Sequence, residues 1–98
     1  MLNLNYKQFY ILQICKNERL SDFTIRELHD ILNKRKFLIS DPTLRQYLNI
    51  FSALGFLTQT KSSLLIFNVN LDYYGWQNIT QIIKTIDNKI TVECKVLN

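Results

Sequence analysis

The sequence lacks the features that mark membrane, secreted and metal-binding proteins. No stretch approaches the roughly 18 consecutive apolar residues of a membrane-spanning helix. The first residues, from Met1 to Asn5, carry neither the basic nor the apolar region of a secretion signal. The two cysteines, Cys15 and Cys94, are too few and too far apart for a disulfide framework or a zinc site. We therefore expect a cytoplasmic protein with reduced thiols, no membrane partner and no bound metal.

The groups that enzymes use are also scarce. His29 is the only histidine, and no cysteine lies at metal-ligand spacing from it. The chain has no paired carboxylate cluster, no nucleophile with a histidine partner and, with two glycines in all, no glycine-rich phosphate loop. We expect no enzymatic activity, no cofactor and no small-molecule ligand, and we place His29 on a helix surface.

Length and charge allow one small domain that could bind a polyanion. The 98 residues, 47% of them hydrophobic, suffice for a single core, and no repeat or Gly-, Ser- or Pro-rich linker divides them. Twelve Lys and Arg against eight Asp and Glu give a net charge of +4, which fits nucleic-acid binding without requiring it. We expect residues 1–98 to form one domain.

Residues 41–57 are the most informative stretch of the chain. Asp41 is suited to cap a helix whose first position is Pro42, where the missing N–H costs nothing. At about 100° per residue, the apolar side chains of this helix fall in one arc, which holds Leu44, Tyr47, Leu48, Phe51 and Leu54. Gly55, just past the last of them, predicts a left-handed helix end, and Phe56 and Leu57 begin an extended segment.

The opposite arc of this helix is polar but carries little charge. It holds Gln46, Asn49 and Ala53, flanked by Thr43, Arg45, Ile50 and Ser52. Such a helix would pack one side on a core and leave the amide-bearing side in solvent.

A first helix is predicted for residues 6–17, with Asn5 as a possible cap. Its apolar residues go nearly all the way round the helix: Tyr6, Phe9, Tyr10, Ile11, Leu12, Ile14 and Cys15. A helix of this kind is covered on more than one side. It is therefore either the central core helix or a helix that partly meets another chain.

A short strand and a second helix lie between these two helices. Residues 18–23 break the helical pattern and predict the strand. Thr24 and Glu27 then form a capping box that begins an amphipathic helix ending near Lys36.

The C-terminal third of the chain alternates between strand and helix patterns. Residues 56–60 and 64–71 predict a hairpin with a polar turn at residues 61–63, and one face of its second strand holds Leu65, Phe67, Val69 and Leu71. A fourth helix is predicted from Trp76 through Ile86, followed by a half-buried strand over residues 90–96.

This order of elements resembles the winged helix-turn-helix superfamily over roughly residues 6–71. Thr43-Leu44-Arg45 opens the third helix and Leu54-Gly55-Phe56-Leu57 closes it, a pattern that many transcriptional regulators share. The resemblance implies an α+β fold, with a three-helix core, a β-hairpin wing, and a C-terminal helix and strand over residues 76–98. A stand-alone domain of this size is similar to small regulators encoded by archaeal viruses and plasmids, which act in the host cytoplasm or at the nucleoid.

The resemblance implies a transcriptional regulator that binds double-stranded DNA, with the third helix in the major groove and the wing on the backbone. Gln46 and Asn49 suit adenine edges, Arg45 a guanine or a phosphate, and Ile50 or Ala53 a thymine methyl, with Thr43 at the start of the same face. The expected backbone contacts are Arg26, Lys34, Arg35, Lys36, Ser52, Lys61, Ser62 and Ser63. The run 34–36 could equally be cations that favour a helix C-terminus.

Two helices rich in apolar surface are more than a small three-helix core needs. We therefore expect a homodimer, which would set the spacing of operator half-sites. The expected interface comprises Phe9, Tyr10, Trp76, Ile79, Ile82, Ile83 and Ile86. The final strand could instead add to a partner's sheet.

An adaptor is the alternative function. The same fold could dock on a nucleic-acid-processing enzyme without binding DNA itself. The single cation of the third helix, Arg45, and an exposed Ile50 favour this alternative.

Overall fold

A computed structural model describes residues 2–61, 65–77 and 94–96 of the chain. Its helices and strands are β1 (Leu2–Leu4), α1 (Tyr6–Asn17), α2 (Ile25–Lys34), α3 (Asp41–Leu54), β2 (Leu57–Lys61), β3 (Leu65–Val69) and β4 (Cys94–Val96). Three helices followed by an antiparallel hairpin make a small α+β fold that is compatible with a winged helix. Ser62, Ser63 and most of the predicted fourth helix lie outside the described residues.

The described strands form two separate antiparallel pairs. β2 and β3 form the predicted hairpin, in which Leu57 pairs with Val69. β1, which the sequence did not predict, pairs with β4, so the C-terminal strand meets the N-terminus of its own chain. The strand predicted over residues 18–23 is reduced to one bridge, in which Phe23 and Phe67 exchange hydrogen bonds of 3.0 and 2.8 Å.

Both N-terminal helices begin at the predicted caps, Asn5 and Thr24, and at Asn5 the structure adds a capping box that was not predicted. Asn5 accepts from the Gln8 N–H and donates its own N–H to the Gln8 side chain, each over 2.8 Å. Thr24 and Glu27 make the same reciprocal pair at the start of α2. Each box satisfies two backbone donors that a helix start leaves unpaired, which fixes where these helices begin.

The start of α3 differs from the prediction by one residue. Ser40, not Asp41, is the N-cap, and its Oγ accepts from the Thr43 N–H over 3.3 Å. Asp41 is the first helical residue and Pro42 lies in the first turn. The Asp41 carboxylate is paired instead with His29, and Ser40, a residue as well suited to an N-cap as Asp, takes the capping position.

α1 contributes more buried side chains to the core than any other described element. Five of them are at most 3% exposed, namely Phe9, Ile11, Leu12, Ile14 and Cys15. The same core contains the fully buried residues Leu28 and Leu32 of α2, Leu44, Leu48 and Phe51 of α3, and Phe56 and Phe67 of the hairpin region. Burying each of these large side chains contributes roughly 1.5–3 kcal/mol. The first helix is therefore a core helix, and contact of part of it with another chain stays a prediction.

The hairpin is less regularly amphipathic than predicted. On the second strand Phe67 is fully buried, whereas Leu65 and Val69 are half-buried. Leu71, expected on the same face, is 66% exposed because β3 ends at Val69 and the chain turns away.

Within the described residues, no helix has the length and apolar character needed to cross a membrane.

All three described helices end in the same backbone turn. In each six-residue segment at a helix end, the N–H of the sixth residue donates to the carbonyl of the first. The fifth residue has a left-handed backbone conformation, and this arrangement pairs the last carbonyls of the helix. The bonds join Leu20 to Cys15 (3.1 Å), Phe37 to Leu32 (2.9 Å) and Phe56 to Phe51 (3.0 Å). The left-handed residues are Arg19, Lys36 and Gly55, with φ of 50°, 58° and 105°. The sequence predicted only the third, because Gly55 alone is a glycine.

We expect Gly55→Ala to destabilise the fold by about 1–2 kcal/mol or more, measured by denaturant unfolding, because alanine disfavours a positive φ. A Cβ at this position would also lie 3.1 Å from Cε1 of Tyr73. Lys36→Gly is the matched control, since it places glycine in the same backbone region and should cost nothing or stabilise by about 0.5 kcal/mol. Wild-type stability in Gly55→Ala would contradict this account of the helix end.

Candidate nucleic-acid interface

α3 has the two faces that the sequence predicted. Leu44, Leu48 and Phe51 are fully buried, while Tyr47 and Leu54 complete the core side as half-buried residues. The opposite face exposes Arg45, Gln46, Asn49 and Ala53, with Thr43, Ile50 and Ser52 half-buried at its margins. The outer face therefore offers one guanidinium and two amides to solvent.

The hairpin reaches this outer face through one side chain. Gln59 of β2 donates from Nε2 to Oδ1 of Asn49 over 3.2 Å. Gln59 is not among the predicted site residues, because the contact joins two elements that periodicity treats separately. The period of two along β2 places Gln59 on the same face as the apolar Leu57, opposite Thr58 and Thr60, but it does not reveal the bond to Asn49.

His29 lies on α2 with its side chain partly exposed, and it fixes the N-terminal end of α3. Its Nε2 lies 2.8 Å from the carbonyl oxygen of Ile39 and its Nδ1 lies 3.0 Å from Oδ1 of Asp41. The side chain is 25% exposed. His29 therefore connects α2 both to the turn between the helices and to the first residue of α3.

Asn70 fixes the other end of α3. Its Nδ2 donates to the Gly55 carbonyl over 3.0 Å, and its N–H donates to the Phe56 carbonyl over 2.9 Å. Its own carbonyl accepts from the indole N–H of Trp76 over 2.7 Å. This one residue joins the end of α3, the end of β3 and the segment that follows. These bonds could not be predicted from local sequence patterns, because each one spans a turn or a loop.

The residues predicted to contact the DNA backbone differ in their exposure and in whether another residue already pairs with them. Arg26, Lys34 and Lys36 are exposed on α2 and just after it. Arg35 forms an ion pair with Glu18. The hydroxyl of Ser52 donates to the carbonyl of Leu48 over 2.9 Å, so it has no proton left for a phosphate oxygen. Lys61 ends β2, and Ser62 and Ser63 lie outside the described residues.

Among the residues predicted to form a dimer interface, some are buried in the single chain and others lie outside the described residues. Phe9 and Trp76 are 1% and 3% exposed in the single chain, so their side chains belong to its own core. Tyr10 is half-buried and stacks on Phe37, with ring centroids 4.8 Å apart. The isoleucines Ile79, Ile82, Ile83 and Ile86 lie outside the described residues, so the dimer stays a prediction.

An apolar surface lies beside the turn between α2 and α3. Leu38 in this turn is 82% exposed and Tyr6 is 47% exposed. Tyr6 lies 6.4 Å from Tyr10, which stacks on Phe37 next to Leu38 in the chain.

The described residues carry no candidate metal centre, since no three His, Cys, Asp or Glu side chains come together there. Cys15 is a free thiol in the core, and its complete burial raises its pKa to about 12. A thiol is nucleophilic and easily oxidised only as the thiolate, so this side chain is inert at neutral pH.

Comparisons of the chain with family models, curated proteins and solved structures find no match in any of the three. Function is therefore inferred from the residues and the geometry of this chain.

We expect Cys15 to resist alkylation in the native protein at pH 8, where a pKa of about 12 leaves about one thiol in 10⁴ ionised. Iodoacetamide labelling followed by peptide mass mapping separates Cys15 from Cys94 and checks this. Denaturant should release the Cys15 reaction. Equal labelling rates with and without denaturant would contradict the buried position.

Replacing His29 with alanine should lower the free energy of unfolding by about 1–3 kcal/mol, because Asp41 and the Ile39 carbonyl each lose a partner. Asp30→Ala is the matched control, since Asp30 is the exposed neighbour on α2 and its loss should change stability by less than about 0.5 kcal/mol. Thermal or urea unfolding measures both. Equal small effects would show that the His29 contacts do not hold the two helices together.

Proposed function

We propose that this chain is a winged helix-turn-helix protein that binds double-stranded DNA and regulates transcription by occupying an operator. In this proposal α3 enters the major groove and the β2–β3 hairpin lies along the backbone. The proposal rests on the outer face of α3. Arg45, Gln46 and Asn49 are exposed there, while the other side of the helix is buried in the core.

The chemistry of this face matches the edges of base pairs. Amide side chains combine donors and an acceptor, and a guanidinium donates to guanine or to a phosphate. Ala53 and the half-buried Ile50 add apolar groups of the kind that contact a thymine methyl. Thr43 lies in the first turn of α3, and its hydroxyl, which accepts from Ser40 Oγ over 2.9 Å, keeps its own proton to donate to a phosphate oxygen.

The charges around α3 favour a polyanion. Arg26, Lys34 and Lys36 are exposed on the neighbouring helix and its end, and the whole chain carries a net charge of +4. Cations beside the reading helix would neutralise phosphates on either side of the groove. Arg35 contributes less in the free protein because Glu18 already pairs with it.

A homodimer remains part of the proposal, because two α3 helices would read two half-sites one helical turn apart. The predicted interface residues Ile79, Ile82, Ile83 and Ile86, together with the half-buried Tyr10, would form the surface that pairs. Sedimentation at micromolar concentration tests this: a dimer sediments with twice the chain mass of 11.7 kDa, whereas a mass equal to one chain removes it.

A protein-binding adaptor is the second candidate, and the exposure of Leu38 is the observation that favours it. This leucine is 82% exposed and follows Phe37, whose ring stacks on Tyr10, and DNA binding does not need an exposed apolar side chain there. Ile50, which was expected to be exposed and to favour the adaptor, is half-buried.

Binding to duplex fragments across salt concentrations separates the two functions. With three or four phosphate contacts, affinity should fall roughly 40- to 150-fold between 50 and 200 mM salt, because counterions are released on binding. An adaptor should bind duplexes weakly at every salt concentration.

Arg45→Ala and Asn49→Ala should each weaken binding to a selected duplex by about 10- to 100-fold, since each removes a base contact. Lys7→Ala is the charge-matched control for Arg45, because it removes one exposed cation from α1, and it should change affinity by less than about threefold. Electrophoretic mobility shift or fluorescence anisotropy measures the affinities. Unchanged binding in both α3 variants would mean that another surface reads the DNA.

A further inference from the structure

The Asp41 carboxylate lies at the N-terminal end of α3 and does not have the capping role that the sequence predicted for it. Ser40 caps the helix, so Asp41 is its first residue. One carboxylate oxygen, Oδ1, lies 3.0 Å from Nδ1 of His29, while the Asp41 side chain as a whole is 66% exposed. A carboxylate accepts hydrogen bonds at both of its oxygens. Asp41 therefore retains acceptor positions that face solvent.

His29 holds this carboxylate from α2. Its second ring nitrogen, Nε2, lies 2.8 Å from the carbonyl oxygen of Ile39. A carbonyl and a carboxylate are both acceptors, so the ring makes both contacts when each of its nitrogens carries a proton. Turning the ring over would place carbon atoms against both oxygens, so the two contacts together fix its orientation. Asp41 is thus held by a side chain that is itself held.

Asp41 lies on the face of α3 that the proposed function assigns to the bases. Residues four apart on a helix follow one another along one face, and Asp41, Arg45 and Asn49 have this spacing. All three residues are exposed. In helix-turn-helix proteins the N-terminal residues of the recognition helix contact base edges. Asp41 therefore occupies a position from which a side chain reaches a base.

The charge of a carboxylate limits which base it can contact. It repels the acceptor atoms of the major groove, which include N7 and O6 of guanine and O4 of thymine. It attracts an exocyclic amino group. Cytosine presents only its N4 amino group, whereas the N6 amino group of adenine lies beside the acceptor N7. Cytosine is therefore the base that suits a carboxylate best.

We infer that Asp41 is a base-reading residue with a preference for cytosine and that His29 is its positioning residue, an inference that rests on the proposed function. His29 holds Oδ1, which leaves Oδ2 to accept from N4 of cytosine. The positive charge of the doubly protonated His29 ring offsets that of Asp41, so the carboxylate approaches the phosphates at a lower electrostatic cost. Asp41 thus adds one operator position to those read by Arg45 and the amides.

Selection from a random duplex pool at about pH 6, where histidine is largely protonated, tests the inference with the wild type, Asp41→Asn and Asp30→Asn. Asp41→Asn keeps the shape of the side chain but adds a donor. Asp30 is an exposed carboxylate on α2, so Asp30→Asn controls for the loss of one negative charge. We expect the wild type and Asp30→Asn to prefer cytosine by about tenfold at one position. Asp41→Asn should lose this preference, with the other positions unchanged.

The outcomes distinguish this inference from the proposed function. A wild-type chain that selects no sequence overturns both. A wild-type chain that selects a sequence, with the same base preferences in Asp41→Asn as in Asp30→Asn, overturns the inference and leaves the proposed function standing, because a merely structural Asp41 would change the affinity for all duplexes alike. A preference for any base other than cytosine at the position that Asp41→Asn relaxes has the same meaning.

Two variants of His29 separate its contact with Asp41 from its contact with Ile39. The amide nitrogen of asparagine is as many bonds from Cβ as Nδ1 of histidine, and that of glutamine corresponds to Nε2. His29→Asn thus keeps a donor for Asp41, whereas His29→Gln keeps one for the Ile39 carbonyl. We expect the cytosine preference to persist in His29→Asn and to fall about threefold or more in His29→Gln. Equal preferences in the two variants, each of which loses one contact, would overturn the positioning role of His29.

Discussion

The burial of one side of α3 is the constraint on which the rest of the structure depends. Leu44, Leu48 and Phe51 recur every three or four residues and are fully buried in the same core as the buried side chains of α1. Burial of three such side chains is worth several kcal/mol, so the helix cannot rotate about its axis without losing a large part of the stability of a small domain. The exposure of Arg45, Gln46 and Asn49 is a consequence of this packing.

Polar contacts from other parts of the chain hold α3 in addition to the apolar packing. His29 bonds its first residue, Asn70 bonds the carbonyl of Gly55 at its last turn, and Gln59 bonds Asn49 in between. Each contact comes from a different element: α2, the end of β3 and β2. The helix is therefore fixed at both ends as well as along its side, which suits a surface that must present side chains in a defined orientation.

Much of the fold was predictable because its signals are local. The caps at Asn5 and Thr24 and the glycine at position 55 placed the helix ends to within two residues, and the 3.6-residue period identified the buried side of α3. The bonds of His29, Gln59 and Asn70 were not predictable, since each joins residues that only the tertiary fold brings together. The left-handed ends at Arg19 and Lys36 were missed for a related reason: hydrogen bonding and packing, not a glycine, impose them. Of the candidate site, the sequence thus supplied the exposed residues of α3 but not what orients them.

The central claim is that the outer face of α3 is the surface that meets DNA. Amide chemical-shift mapping of the isotope-labelled protein, titrated at low salt with a duplex, tests it most directly because it reports the contact surface without any substitution. We expect the largest changes at Arg45, Gln46 and Asn49 and along β2. Changes that cluster instead around Leu38 and Tyr6, or the absence of any change, would contradict the claim.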